Sequence, residues 1–228
     1  MSLADSRFAL TNALRAACEH NGPTRRGEPP VAVFLVGATT VAAHARAALA
    51  AARRLAGRNV RVVAFVADPD IVAAQLKLFA LAGSYFTQWL LPGGVRAVDA
   101  HCRHPTIVVD ALGSSASGIA LPSTAGEAEA VVAWANAANC PRVSLGHPSG
   151  FDPVTGARGR TCVDATACCE FTAPTLRCAL PPSCQLFLAD CGVPLGLLVK
   201  AQQPDSAGRP LPSPFFSRPF AALRLDAP

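Results

Sequence analysis

The sequence is poor in lysine, aromatic residues and charge. Only two of its 20 basic residues are lysines, Lys77 and Lys200, while aromatic residues make up 6% and charged residues 15% of the 228 residues. Such a low charged fraction, together with 51% apolar residues, excludes a disordered polar chain, a charged coiled coil and a collagen-like repeat. We therefore expect a buried core in a chain that is long enough for one large or two small domains.

The sequence also lacks an apolar run that could cross a membrane. The most apolar window, residues 31–52, contains His44 and Arg46 and changes its hydrophobic period within the window. The first residues carry Asp5 and Arg7 instead of the continuous apolar segment of a secretory signal. We therefore expect an intracellular protein without a membrane span, in the cytoplasm or, given the early arginines, in the mitochondrion.

The nine cysteines contain no CxxC pair, which is the usual spacing of a metal site. Six of them lie between residues 162 and 191, in segments that are typical of strands. Adjacent Cys168 and Cys169 would point to opposite faces of a strand and could not both bind one ion. We therefore predict reduced thiols in the core and a reducing compartment.

The net charge of +5 is small and is spread along the chain. An excess of this size is compatible with contact to RNA or another anion, and it is equally compatible with a coding bias toward arginine. Arg46, Arg53 and Arg54 lie on one predicted helix, away from its apolar face. Contact between these side chains and phosphate stays an open alternative.

Short apolar runs alternate with helical segments along most of the chain. Val31–Val36 (VAVFLV) ends at Gly37 and is typical of a strand that is buried on both faces of a parallel sheet. Strands are predicted over 31–36, 60–66, 87–91, 106–110, 142–145, 165–171 and 185–190, and helices over 3–20, about 41–56, 71–82 and 124–138. This alternation predicts a doubly wound, Rossmann-like α/β sandwich of three layers, with a mostly parallel sheet of about seven strands.

The same pattern divides the chain into three parts. Residues 1–30 are predicted to form an N-terminal helix and a linker rich in glycine, proline and arginine. Residues 31–201 are predicted to form the α/β domain. The proline-rich residues 202–228 are predicted to form an extended tail that packs on it.

Four motifs follow predicted strands, where ligands bind in doubly wound folds. They are Asp110–Gly113 (DALG), Pro148–Asp152 (PSGFD), Phe171–Pro174 (FTAP) and Leu188–Pro194 (LADCGVP). In this order, residues 31–225 resemble the YjeF N-terminal domain family. That family includes the NAD(P)H-hydrate epimerases and the C-terminal domain of an enhancer-of-mRNA-decapping scaffold.

The sequence departs from the family pattern at two places that matter for catalysis. Where epimerases have a GxxNNGGDG-like phosphate loop, this chain has Gly37–His44 (GATTVAAH), which keeps one glycine and neither asparagine. In the signature SxDxPSGxD, the acid that the resemblance implies as the catalytic base falls at Gly146, which cannot accept a proton. His147 is the one neighbour that could replace it, but in an extended segment its side chain would point the opposite way.

The resemblance implies further site residues only if the site is still used. Asp110 matches an acid near a monovalent cation, and it could instead cap the turn that follows its strand. The residues implied to bind the cofactor are Gly37, Thr39, Thr40, Ser114 and Ser115. Asp152 closes the signature, and before Pro153 it could simply begin a turn.

These departures favour a catalytically inactive domain that acts as a protein-interaction or scaffold module without a cofactor. We expect protein partners or a homodimer, within an RNA-associated or other large assembly. A scaffold of this kind should expose an apolar patch, near Trp134 or in the tail. The alternative is an NAD(P)H-hydrate epimerase with an altered site that uses potassium and has Asp110 and His147 as its catalytic groups.

Overall fold

The computed structural model describes most of the α/β domain and one segment near the end of the chain. The described residues are 29–37, 42–67, 73–81, 85–87, 102, 104–113, 125–152, 155–171, 180, 183–189 and 220–223. The helix predicted over residues 3–20 lies outside them. The predicted division into linker, domain and tail stays a prediction.

The described elements form one sheet of eight strands with three helices. The strands are β1 (Val31–Val36), β2 (Arg61–Val66), β3 (Tyr85–Thr87), β4 (Ile107–Ala111), β5 (Arg142–Leu145), β6 (Ala167–Phe171), β7 (Gln185–Ala189) and β8 (Phe220–Leu223). The helices are α1 (Ala42–Ala56), α2 (Ala73–Leu81) and α3 (Ala125–Ala137).

The sheet has the strand order β3-β2-β1-β4-β5-β6-β7-β8. All neighbours are parallel except β7 and β8, which are antiparallel. The chain therefore winds outward from β1 in one direction and returns to wind from β4 in the other, which is the doubly wound arrangement. The predicted mostly parallel α/β sheet is confirmed, and β8 adds an antiparallel edge strand that the sequence pattern did not predict.

β1 shows why these runs form central strands. Alternate side chains enter two different cores, with Phe34 and Val36 on one face of the sheet and Val33 and Leu35 on the other. All four are fully buried. A strand that must be apolar at every position leaves no polar face, so the continuous VAVFLV run requires a layer of structure on each side.

The helices supply these layers. α1 packs its alanine-rich face and Leu49 and Leu55 against the first core, where small side chains allow the helix to approach the sheet closely. α3 packs Val131 and Val132 into the second core, on the opposite face. The three-layer sandwich follows from these two contacts, and Trp134 on α3 is half-buried against the second core.

α2 differs from the other helices because its apolar side chains reach the surface. Leu76 is buried, whereas Leu78 is 47% and Leu81 is 84% exposed. The sequence analysis expected an exposed apolar patch near Trp134 or the tail. Among the residues whose side chains the structure describes, the exposed large apolar ones are on α2, and Trp134 is half-buried. The side chains of the tail lie outside this part of the chain, so a patch there stays a prediction.

The six cysteines in the described part of the chain are free thiols, and five of them are buried. Cys169 contributes to the first core, whereas Cys168 lies in a third apolar cluster with Leu186. The prediction that these adjacent thiols point to opposite faces of one strand is confirmed. None of the helices in the described ranges is both long and apolar enough to cross a membrane.

Candidate functional site

The reversal of strand order between β1 and β4 brings several polar side chains to the carboxyl ends of the central strands. In open α/β sheets this edge is where ligands bind. β4 contributes Asp110, and the segment after β5, residues 146–152 (GHPSGFD), forms what we call the signature loop. β6 contributes Glu170, and the first turns of α1 contribute His44.

Asp110 is only 1% exposed, and its carboxylate accepts four hydrogen bonds from the chain itself. Oδ1 accepts from the Ser149 hydroxyl (2.6 Å) and from the Leu112 amide (3.1 Å). Oδ2 accepts from the Ser144 hydroxyl and from the Ser149 amide, each at 2.8 Å. Asp110 thus ties β4 to β5 and to the signature loop.

These contacts decide what Asp110 can do chemically. A carboxylate offers about four lone-pair positions, and here four donors already fill them. The arrangement does not fit a monovalent cation on Asp110, because a cation would have to displace a buried donor. Among the described residues, no group of three His, Cys, Asp or Glu side chains is placed to hold a metal ion.

The signature loop is a compact series of turns. The Phe151 amide donates to the Pro148 carbonyl (3.0 Å), and the Val163 amide donates to the Ser149 carbonyl (2.9 Å). Asp152 accepts from the Thr155 hydroxyl (2.6 Å) and begins a turn, as one of the two predicted interpretations requires. The loop is therefore held by backbone hydrogen bonds, within itself and to Val163, and by Asp110.

Gly146 begins this loop with a φ of +77°, a conformation that favours glycine. Its amide donates to the Cys169 carbonyl on β6 (2.8 Å). A Cβ atom on residue 146 would lie 2.7 Å from His44 Cε1 and 3.3 Å from His44 Nδ1. The His44 ring therefore occupies the space in which a side chain at the family's base position would begin.

His44 has an apolar setting for an imidazole. Its ring lies 5.4 Å from the Phe171 ring, tilted by 34°, and its nitrogens have no hydrogen-bond partner among the described residues. Burial lowers the pKa of His44, and the charge of Asp110 opposes that effect only in part. His44 is therefore mainly neutral at pH values near or above its ordinary pKa.

His147 faces β6, where its Nδ1 lies 3.0 Å from Glu170 Oε1. Glu170 is only 7% exposed, and burial raises its pKa to about 7. Burial also lowers the pKa of His147, and the nearby His44 ring lowers it further. The Cys168 thiol lies 3.9 Å from the same Glu170 oxygen and 2.8 Å from the Gly146 carbonyl.

The structure thus corrects one step of the sequence analysis. The argument against His147 assumed an extended backbone in which Gly146 and His147 point opposite ways. Because Gly146 has a positive φ, the strand alternation stops there, and His147 turns toward β6 instead.

Of the residues implied to bind the cofactor, the structure describes Gly37. A Cβ atom on Gly37 would lie 2.0 Å from the Leu112 carbonyl oxygen, and its amide donates to the Ala111 carbonyl. A close approach between β1 and the end of β4 thus explains this glycine without a ligand. The other four, Thr39, Thr40, Ser114 and Ser115, lie outside the described residues.

Sequence analysis missed two members of the site, His44 and Glu170. Glu170 carried a signal, because it is an acid inside an otherwise apolar strand, and such a group needs a partner when it is buried. His44 appeared only as the end of the altered phosphate loop. Its position against Gly146 depends on the angle of α1 to the sheet, which local sequence does not specify.

The fold and this edge of the sheet define a doubly wound α/β domain with a polar candidate site at the point where the strand order reverses. The family described as YjeF-related protein N-terminus matches residues 8–176, and the chain belongs to this family. No curated protein matches the sequence.

Among solved structures, yeast ynu0 (YNL200c) is similar over 98% of this chain and 91% of its own, with 14% identity and a TM-score of 0.70. That identity shows the shared fold alone. A short-chain dehydrogenase/reductase from Burkholderia xenovorans matches 51% of this chain and 55% of its own, with 17% identity and a TM-score of 0.32. A metagenomic short-chain oxidoreductase in complex with NADP matches 56% of this chain and 66% of its own, with 17% identity and a TM-score of 0.30. The last two TM-scores are too low to indicate a common fold over the whole chain.

Proposed function

We propose that this chain does not epimerise NAD(P)H hydrates by its family's mechanism and acts instead as a protein-interaction module. By resemblance to the decapping scaffold, it would serve as a subunit of an RNA-associated or other large assembly. The single observation that carries the proposal is the contact between His44 and Gly146. The base position has no titratable side chain, and an imidazole from α1 fills the space where one would begin.

Asp110 supports the same interpretation. In an active site, a carboxylate that binds a cation or a substrate needs a free acceptor position. All four positions of Asp110 hold donors, which come from Leu112 just after β4, from β5 and from the signature loop. Its role in this chain is therefore that of a buried anchor, with no acceptor position left for a cation or a substrate.

The surface offers a place for a protein partner. α2 exposes Leu78 and Leu81 on a nine-residue helix, and exposed apolar side chains that lie together favour a protein contact. On α1, Arg46 and Arg53 lie seven positions apart and so on one side of the helix. They supply the positive charge that contact to RNA would use.

The test is to purify tagged protein from its native cells, with and without ribonuclease, and to identify co-purifying proteins by mass spectrometry. We expect stoichiometric partners, and their loss after ribonuclease would show that RNA bridges them. Recovery of the protein alone in both preparations, as a monomer, would contradict the interaction proposal.

The cluster around Gly146 favours a second candidate, a hydrate epimerase with an altered site. His44, His147 and Glu170 bring three titratable groups close to residue 146. Burial raises the pKa of Glu170 to about 7 and lowers the pKa values of His44 and His147, which favours neutral imidazoles that can accept a proton. Groups that titrate near the working pH are suited to general acid–base chemistry. Proton transfer on a hydrated nicotinamide would then use an imidazole instead of a carboxylate.

This candidate is tested by the rate at which R and S hydrates of NAD(P)H interconvert in the presence of potassium. An active enzyme would accelerate the reaction, and His147→Gln would reduce the rate on the order of 10²-fold. A rate equal to that in buffer would eliminate the candidate. Asp110→Ala is a poor test, because removal of a buried anchor would abolish activity through misfolding alone.

A further inference from the structure

Two acidic side chains, Asp110 and Glu170, contact the signature loop. They differ in the number of hydrogen-bond donors that surround each carboxyl group. Asp110 contacts the loop through the Ser149 amide and hydroxyl and has four donors in total. Glu170 contacts the loop through His147. Among the residues that the structure describes, the other partner of its carboxyl group is the Cys168 thiol, at 3.9 Å.

We propose that the His147–Glu170 contact is a proton-linked latch, which holds the signature loop against β6 and loosens when Glu170 loses its proton. The inference goes beyond the interaction function and does not depend on it. It concerns the loop at the edge of the sheet where ligands bind in doubly wound folds.

The latch follows from the protonation states of His147 and Glu170. With one proton on Glu170 and a neutral imidazole, the carboxylic O–H donates to an unprotonated His147 Nδ1, and no charge is buried. When that proton leaves to solvent, the imidazole must present Nδ1–H to the carboxylate, so its remaining proton moves from Nε2 to Nδ1 by exchange with water. The contact survives, but the buried negative charge is now held mainly by the His147 donor, because the Cys168 thiol lies 3.9 Å from Glu170 and only 2.8 Å from the Gly146 carbonyl. Such a buried charge is costly.

The surroundings of Glu170 offer no compensating charge among the described residues. On β7 its neighbour in the sheet is Leu188, and on β6 the nearest polar group is the Cys168 thiol. His44 on α1 influences His147, and Asp110 on β4 influences His44. Burial alone accounts for the raised pKa of Glu170, about 7, which sets the change near neutral pH.

The raised pKa of Glu170 sets the size of the pH effect on the opening of the loop. Opening returns Glu170 to water, where its pKa falls from about 7 to its ordinary value of 4.5. Linkage then makes opening about tenfold more favourable at about pH 8 than at about pH 6 through this group. Because His147 also titrates on opening and acts in the opposite direction, the measured quantity is the ratio between the native chain and Glu170→Gln.

The first experiment follows the ring nitrogens of His147 by ¹⁵N NMR of the full chain, assigned with His147→Gln. We expect Nδ1 to change from unprotonated to protonated as the pH rises through about 7, while the ring stays neutral. In Glu170→Gln this change should vanish. A Nδ1 that keeps one protonation state from about pH 6 to 8, or the same change in Glu170→Gln, would overturn the proposal.

The second experiment measures amide hydrogen exchange in residues 146–152, corrected for intrinsic rates. The protection of the native chain relative to Glu170→Gln should fall about tenfold between about pH 6 and about pH 8. Asp164→Asn is the matched control, because Asp164 forms an exposed ion pair with Arg158 outside the loop. Equal pH profiles for the native chain and Glu170→Gln would refute the latch. If Glu170→Gln does not fold, a ¹³C titration of the Glu170 carboxyl group in the native chain tests the proposal instead. An ordinary pKa for this group would exclude the latch.

Discussion

The imidazole of His44 and the backbone of Gly146 share one site, and only one side chain fits there. A Cβ atom at residue 146 would lie 2.7 Å from His44 Cε1, closer than real Cβ contacts allow. The absence of a side chain at residue 146 and the position of the His44 ring are therefore linked in this structure. A side chain can return to position 146 only if His44 moves.

This relationship predicts an energetic coupling between the two positions. Gly146→Ala should destabilise the native chain by about 2–3 kcal/mol, since it adds both an unfavourable φ and a steric conflict. In a His44→Ala background the conflict is gone, and the cost should fall by about 1 kcal/mol or more. Urea unfolding of the four proteins measures the coupling.

Gly156→Ala provides the control for this cycle. Gly156 has a φ of +75°, nearly the same as that of Gly146, so both substitutions carry a similar backbone cost. Gly156→Ala should show no coupling to His44→Ala. Additive effects of Gly146→Ala and His44→Ala would mean that His44 does not occupy the base position.

Asp110→Asn should destabilise the protein by about 2–4 kcal/mol, because an amide places an NH₂ group against the buried Ser149 amide donor. Asp164→Asn, in an exposed ion pair with Arg158, should cost less than about 1 kcal/mol. Denaturant titrations of both variants make the comparison. A small effect of Asp110→Asn would return this carboxylate to the list of ligand-binding candidates.

The stability of the whole protein should depend on Glu170 with a defined sign. A carboxyl group whose pKa rises to about 7 on folding binds its proton more tightly when folded, so its contribution is complete below pH 4.5 and is lost as the pH rises through about 7.

The histidines act in the opposite direction. Because their pKa values are lowered on folding, they contribute stability at pH values above their ordinary pKa, and this contribution is lost as the pH falls below it.

The comparison with Glu170→Gln isolates the contribution of the carboxyl group to stability. The stability of this variant relative to the native chain should rise by about 1.4 kcal/mol from about pH 6 to about pH 8. A constant difference over that range would contradict the raised pKa.

Substitutions on α2 should separate binding from stability. Leu81 is 84% exposed, so Leu81→Glu should change the free energy of unfolding by no more than about 0.5 kcal/mol. If α2 contacts a partner, the variant should lose co-purifying proteins while its unfolding curve stays the same. Arg46→Glu, on the outer side of α1, tests RNA contact separately. Unchanged partners with Leu81→Glu would place the interaction surface elsewhere.

The sequence by itself determined the fold class, because hydrophobic period and element length are local properties. The VAVFLV run of β1 had to be covered on both faces, and the alternation of strands with helices allowed few arrangements other than a doubly wound sheet. The same holds for Gly146, whose inability to accept a proton is a property of the residue and needs no structure.

Local sequence signals located the two edge strands of the sheet, β3 and β8, less precisely than the central strands. The sequence predicted a third strand over residues 87–91, and the structure places β3 at Tyr85–Thr87. It predicted an extended tail, and residues Phe220–Leu223 pair with β7 as an antiparallel edge strand. Pairing at an edge depends on which strand lies free there, and this is decided only when the sheet has formed.

Tertiary structure alone decided the character of the candidate site. His44, His147 and Glu170 come from α1, the signature loop and β6, and no spacing in the sequence relates them. Which of them meet depends on the angle of α1 and on the positive φ of Gly146, which turns His147 toward Glu170. Their proton affinities follow from burial in the assembled sheet, because desolvation is a property of the packed structure and not of the residue type.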